Sequence, residues 1–84
     1  MNLSWDKEAW EDYVYWQQTD KTVLRRINEL IKECLRTPFE GKGKPEPLKE
    51  NLSGFWSRRI TDEHRLIYRV ESDRLHIIQC RFHY

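Results

Sequence analysis

Breakers of regular structure are scarce in this 84-residue chain: it has three glycines and three prolines, and the prolines all fall between positions 38 and 47. Gly41 and Gly43 share that interval, so one central loop between two regular halves is expected. No apolar run is long enough for a signal peptide or a membrane span, which points to a cytoplasmic protein with no membrane partner. The two cysteines, Cys34 and Cys80, form no metal or redox motif, and reduced, partly buried thiols are expected. Cys80 and His83 lie three residues apart, which on a strand sends them to opposite faces and argues against a shared metal. A net charge of +1 argues against a general polyanion binder. Repeats, linkers and low-complexity segments are absent, and the length accommodates a single domain, residues 1–84.

Aromatic residues are plentiful. Four Trp, four Tyr and three Phe supply the large buried areas that a dense core in so short a chain requires. Charge is unevenly spread. Residues 1–20 carry one Lys against five acids (Asp6, Glu8, Glu11, Asp12, Asp20), and the remainder carries fourteen basic against nine acidic groups. The larger part can therefore present a basic face to an anionic partner.

Residues 1–5 suit an edge strand. From Asp6 to about Gln18, Ala9, Trp10, Tyr13, Val14 and Trp16 recur at helical spacing, with acids early where a helix N-terminus favours them. Thr19-Asp20 reads as a turn and N-cap, followed by the amphipathic stripe Val23, Leu24, Ile27, Leu30, Ile31, Cys34 and Leu35, which Pro38 stops at Thr37. Two helices so joined form an antiparallel hairpin. After the loop the period falls to two over residues 55–60, 65–70 and 75–84, with turns at 61–63 and 72–73, as in an antiparallel meander. Leu66, Tyr68 and Val70 should share one face, and Ile78, Cys80 and Phe82 should oppose Gln79, Arg81 and His83. The expected fold is α+β: an N-terminal edge strand and an αα-hairpin packed on one face of a small twisted antiparallel sheet.

The open face of such a sheet would collect Arg65, Arg81 and His83, with Arg58 or Arg59 according to register. A solvated polar face is the ordinary explanation. Adjacent like charges are nonetheless costly without an anion to compensate them. The loop supplies Lys42, Lys44 and Lys49 for phosphate contacts and Glu46 between two prolines that restrict its backbone. Its GKGK string lacks the spacing of a P-loop and on its own suggests a flexible surface loop. Together these groups suit the breakage of RNA by its own 2′-hydroxyl. That reaction needs a base for the hydroxyl, charge stabilisation at phosphorus and an acid for the departing 5′ oxygen. Glu46, Arg65 and His83 fit those roles by residue type, with no metal or cofactor called for. His64 reads as a capping or surface residue and His76 as half-buried. Trp56 is either core or a base-stacking platform, and Trp5, Trp10 and Trp16 belong to helix–sheet packing or a dimer interface.

Four segments taken together, Gly41-Lys42-Gly43-Lys44-Pro45-Glu46-Pro47-Leu48-Lys49, residues 51–60, Glu63-His64-Arg65-Leu66-Ile67-Tyr68 and Cys80-Arg81-Phe82-His83-Tyr84, resemble the YoeB toxins of the RelE/ParE superfamily, over essentially the whole chain. The resemblance implies a RelE-like fold and a ribosome-dependent mRNA endonuclease that cuts in the A site. It would leave 2′,3′-cyclic phosphate and 5′-hydroxyl ends. It also implies Glu46 as general base, His83 as general acid, Arg65 as phosphate stabiliser and Tyr84 as an orienting group. Lys44, Lys49, Arg59 and Arg81 would hold RNA. Implied partners are the ribosome and mRNA, a YefM-type antitoxin, operator DNA through that antitoxin, and a second copy of the chain. Phe82 stands where close relatives are expected to carry Tyr, and Glu50 dilutes the charge beside Lys49. A non-catalytic ParE-like toxin acting on DNA gyrase is the rival, but it has no use for an acid–base pair.

Overall fold

The computed structural model describes residues 1–83; Tyr84 lies outside the described residues. Strand β1 (Asn2–Trp5) leads into helices α1 (Lys7–Thr19) and α2 (Lys21–Arg36). Four further strands follow: β2 (Glu46–Pro47), β3 (Trp56–Arg59), β4 (Arg65–Glu71) and β5 (Arg74–Gln79). A 3₁₀ turn at Glu50–Leu52 lies between β2 and β3.

Local chemistry explains the helix ends. Asp6 precedes α1 with extended backbone, but its carboxylate makes no cap and instead meets His76 Nε2 at 2.8 Å. Asp20 alone separates the helices, and its side chain accepts from the backbone N–H groups of Thr22 (3.0 Å) and Val23 (3.1 Å). Those are orphan donors of the first turn of α2. The anticipated stripe of α2 is buried at Val23, Ile27, Leu30, Ile31 and Cys34. It meets Leu66, Tyr68, Leu75 and Ile77 from the sheet and Cys80 just beyond its last strand, with Ala9 and Trp16 from α1. Each large apolar side chain so buried stabilises the fold by about 1.5–3 kcal/mol. Trp16 also donates its indole N–H to the Cys80 carbonyl at 2.9 Å. Both cysteines are free and buried. Burial pushes the Cys34 thiol up to about 11 and the Cys80 thiol up to about 12.

The five strands are ordered β1-β5-β4-β3-β2. The meander β3-β4-β5 is antiparallel as expected, and β2 extends it by pairing Glu46 with Ser57 and Pro47 with Trp56. Period alone gave no sign of β2, which is two residues long, with its proline on an edge where no ladder N–H is needed. β1 is an edge strand, but it runs parallel to β5, with Leu3 opposite Leu75, so the sheet is mixed. The αα-hairpin, the central loop and β2–β4 all lie between the two in the chain, so the long connection that parallel pairing requires is present.

β5 departs from the expected run to residue 84. A register shift places Ile67 opposite Gln79 and Tyr68 opposite Ile77, leaving Ile78 as the extra residue of a bulge. The bulge moves the inward phase by one: Leu75, Ile77 and Cys80 are buried, Ile78 is partly exposed and Phe82 is 54% exposed. The strand then ends at Gln79. Phe82 takes φ +63°, a left-handed conformation that no strand tolerates, and residues 80–83 turn off the sheet as a hook.

Candidate active site

On β3 the adjacent arginines part company. Arg58 points inward and is fully buried, whereas Arg59 faces out. The Arg58 guanidinium donates to the carbonyls of Thr37 (2.6 Å), Glu40 (2.8 Å) and Lys42 (2.9 Å), and to the Tyr68 hydroxyl (3.1 Å). Tyr68 in turn donates to the Pro38 carbonyl at 2.7 Å. A fork with five donors suits this task, because the loop turns several carbonyls toward one point. The Arg59 N–H adds a 2.7 Å bond to the Gly43 carbonyl. Gly43 itself sits at φ +83°, where a Cβ would lie 2.8 Å from Leu30 Cδ2. The GKGK string is therefore no slack surface loop. It is tied to the core and delivers Lys44 and Glu46 to the sheet edge.

Six side chains line one polar pocket of about 200 Å³: Lys44, Glu46, Ser57, Arg59, Arg65 and His83. Lys44 and Glu46 come from the tethered loop and β2, Ser57 and Arg59 from alternate positions of β3, and Arg65 from the start of β4. Pairing sets Glu46 opposite Ser57 and Arg59 opposite Arg65. Two guanidinium groups at a directly opposed pair repel one another, an arrangement that an anion between them would relieve. Arg65 is steadied from behind: Nη1 donates to the carbonyls of Thr61 (2.6 Å), His64 (3.0 Å) and Asp62 (3.2 Å). Arg59 has only a 4.0 Å approach to the fully exposed Asp62 carboxylate, a pair of little energetic weight in water.

His83 arrives from the hook, across the turn at 61–64. Its Nε2 lies 3.0 Å from the Asp62 carbonyl, which can only accept, so that nitrogen carries a proton. The backbone of the hook is held by Gln79, whose amide donates to the carbonyls of Arg81 (2.7 Å) and His83 (3.0 Å).

Of the residues singled out from sequence, Glu46, Arg59, Arg65, His83 and Lys44 thus share one pocket. Two do not join it. Lys49 borders a neighbouring groove formed by residues 46–52. Arg81 lies on the far side of the hook, its guanidinium 3.6 Å from the centre of the Tyr15 ring. There it faces Asp12, whose carboxyl burial raises above its usual value. Tyr84 is outside the described residues. Ser57 and Gln79 were overlooked, since a lone serine and glutamine carry no chemical signature in sequence; His64, read as a capping or surface residue, reveals its partner only once residues 80–83 leave the sheet. Among the described residues no group of three or more His, Cys, Asp or Glu side chains is placed to hold a metal ion.

A helical hairpin packed against a mixed five-stranded sheet, with a basic, carboxylate-bearing pocket at the β2–β4 side, defines a RelE-like toxin. Residues 5–84 match the family model described as the YoeB-like toxin of bacterial type II toxin-antitoxin systems, and the chain belongs to that family. It is 68% identical to Toxin YoeB of Escherichia coli (strain K12), over 100% of both chains. Its structure superposes on that of a YoeB/ParE toxin from Agrobacterium tumefaciens with a TM-score of 0.98, at 56% identity and full coverage of both chains. It also resembles the toxin in a heterotetrameric YoeB–YefM toxin–antitoxin complex from Staphylococcus aureus, with a TM-score of 0.92 at 48% identity, covering 100% of this chain and 98% of that one. The protein is a toxin of a type II toxin–antitoxin system.

Proposed function

We propose that this toxin is a ribosome-dependent endoribonuclease that cleaves mRNA in the A site and so halts translation. The observation that carries this reading is the convergence of Glu46, Arg59, Arg65, Lys44 and His83 on one pocket from four separate stretches of chain. Glu46 takes the proton from the ribose 2′-hydroxyl, whose oxygen attacks the adjacent phosphorus. Arg65, held by three carbonyls, and Arg59 neutralise the charge that builds on the phosphate oxygens, and Lys44 supports them. His83 donates a proton to the departing 5′ oxygen, leaving a 2′,3′-cyclic phosphate and a 5′-hydroxyl. No step needs a metal. Tyr84 orients the substrate or the acid, and Lys49 and Arg81, being outside the pocket, touch flanking nucleotides only.

The toxin works in the cytoplasm, where a YefM-type antitoxin folds a disordered segment across it and carries the pair to operator DNA. A second copy of the chain is a further partner. Leu3 (39% exposed) and Trp10 (49% exposed), beside Trp5 and Tyr13, leave apolar surface at the β1 edge that self-association would cover.

Incubating the purified chain with programmed ribosomes and mapping the mRNA ends tests the proposal. Cleavage within the A-site codon is expected. Intact mRNA together with inhibited gyrase supercoiling would replace this reading with the ParE-like one.

A further inference from the structure

We propose that His64 and Gln79 are positioning residues that hold His83 at the pocket through the hook, an inference that rests on the nuclease reading above. Once β5 ends, nothing in a sheet ladder fixes residues 80–83. Hydrogen bonds from neighbouring elements replace it. The Arg65 N–H donates to the Phe82 carbonyl at 3.0 Å, and the Phe82 N–H donates to His64 Nδ1 at 2.7 Å. Gln79 grips the carbonyls on either side of Phe82. Trp16 anchors the base of the hook through the Cys80 carbonyl.

Phe82 occupies φ +63°, which is unfavourable for a residue with a Cβ and persists only where surrounding contacts enforce it. The 2.7 Å bond from its N–H to His64 is such a contact. An imidazole nitrogen that accepts a hydrogen bond bears no proton. His64 is therefore neutral, with its hydrogen on Nε2. Its ring is kept in register by Trp16, 4.8 Å away and nearly perpendicular, and by Phe82 at 5.6 Å. His64 itself does not line the pocket. It links α1 through Trp16 to the backbone one residue before the general acid, and it adjoins Arg65, whose Nη1 uses the His64 carbonyl. One turn thereby sets both the phosphate-binding arginine and the acid.

Two replacements separate the ring from its acceptor. His64→Phe keeps an aromatic ring against Trp16 and removes the acceptor. His64→Asn places an amide oxygen near the Nδ1 position and removes the ring. In single-turnover cleavage on saturating programmed ribosomes, His64→Phe and Gln79→Leu should each slow the chemical step about 10- to 100-fold, the cost of a misplaced catalytic group, with ribosome affinity unchanged. His64→Asn should recover most of the rate. Equal rates for wild type and His64→Phe, or an Asn variant as slow as the Phe one, would overturn the assignment.

Nitrogen-15 chemical shifts of the wild-type imidazoles decide the same point without activity. The Nε2–H tautomer at His64, with a His83 ring ordered in wild type and mobile in His64→Phe, is expected. A proton on His64 Nδ1, or a His83 ring equally ordered in both proteins, would overturn the positioning role. Failure of wild type to cleave, with those spectra as expected, would remove the nuclease reading and leave the hook standing.

Discussion

Replacing Arg58 with methionine separates the work of the two adjacent arginines on β3. The wild-type guanidinium is wholly buried and donates to three loop carbonyls and one phenol. Methionine fills comparable space and offers no donor, so the carbonyls of Thr37, Glu40 and Lys42 lose a charged partner. Hydrogen bonds to a charged group contribute about 1.5–3 kcal/mol each. Much of that sum is offset, because the variant no longer buries a cation and the carbonyls reach water once the loop loosens. A net loss of about 3 kcal/mol follows, which in a domain of this size lowers Tm by roughly 12–24 °C. Arg58→Lys, with a point charge and no fork, should lose less, about 2 kcal/mol. Tryptophan fluorescence and circular dichroism across a urea titration read this directly. A loss below about 1 kcal/mol for Arg58→Met would mean that the guanidinium merely fills volume and that the loop carrying Lys44 and Glu46 is held by other means. Arg59→Met, at an exposed position, should instead leave stability within about 0.5 kcal/mol and weaken RNA engagement.

Other expectations are narrower. Gly43→Ala introduces a Cβ at positive φ, 2.8 Å from Leu30 Cδ2, and should destabilise the protein by about 1–3 kcal/mol in chemical denaturation; an unchanged urea midpoint would show the loop able to relocate. The buried thiol of Cys80 ionises near 12 in the fold against an ordinary 9.0, so the folded state holds the proton that the unfolded chain releases. Stability should therefore be intact below pH 9 and fall as pH rises toward 12. Cys34, raised to about 11, adds to the slope, and a Cys34→Ala, Cys80→Ala variant should show a shallower decline. His83→Gln should leave Tm within a few degrees while slowing single-turnover cleavage by about 10²–10⁴-fold, and an unaltered rate would remove the general acid from that position.

The helical hairpin was legible because α2 repeats its apolar residues at helical spacing and Asp20 is a strong cap. The antiparallel meander was legible from Leu66 and Tyr68 and from the short turns on either side of β4. The parallel docking of β1 was not, since four residues carry no record of their partner strand. The end of β5 was missed for a physical reason: apolar–polar alternation continues through Phe82, but one bulged residue, Ile78, reverses which side faces the core. Arg58 and Arg59 were indistinguishable in sequence, because either register satisfies the alternation. Their roles follow only from the carbonyls that the loop at 37–42 turns inward. The pocket itself was suggested by residue types, yet Arg81 matched its chemistry as well as Arg65 did and sits instead on Tyr15.

The mechanism is tested most directly by the sugar at the cut site. On programmed ribosomes, an mRNA carrying a single 2′-deoxynucleotide on the 5′ side of the scissile phosphate should survive intact under conditions where the all-ribo message is cleaved to 2′,3′-cyclic phosphate ends. Cleavage of the deoxy-substituted message at the same position would contradict attack by the 2′-hydroxyl, and with it the role given to Glu46.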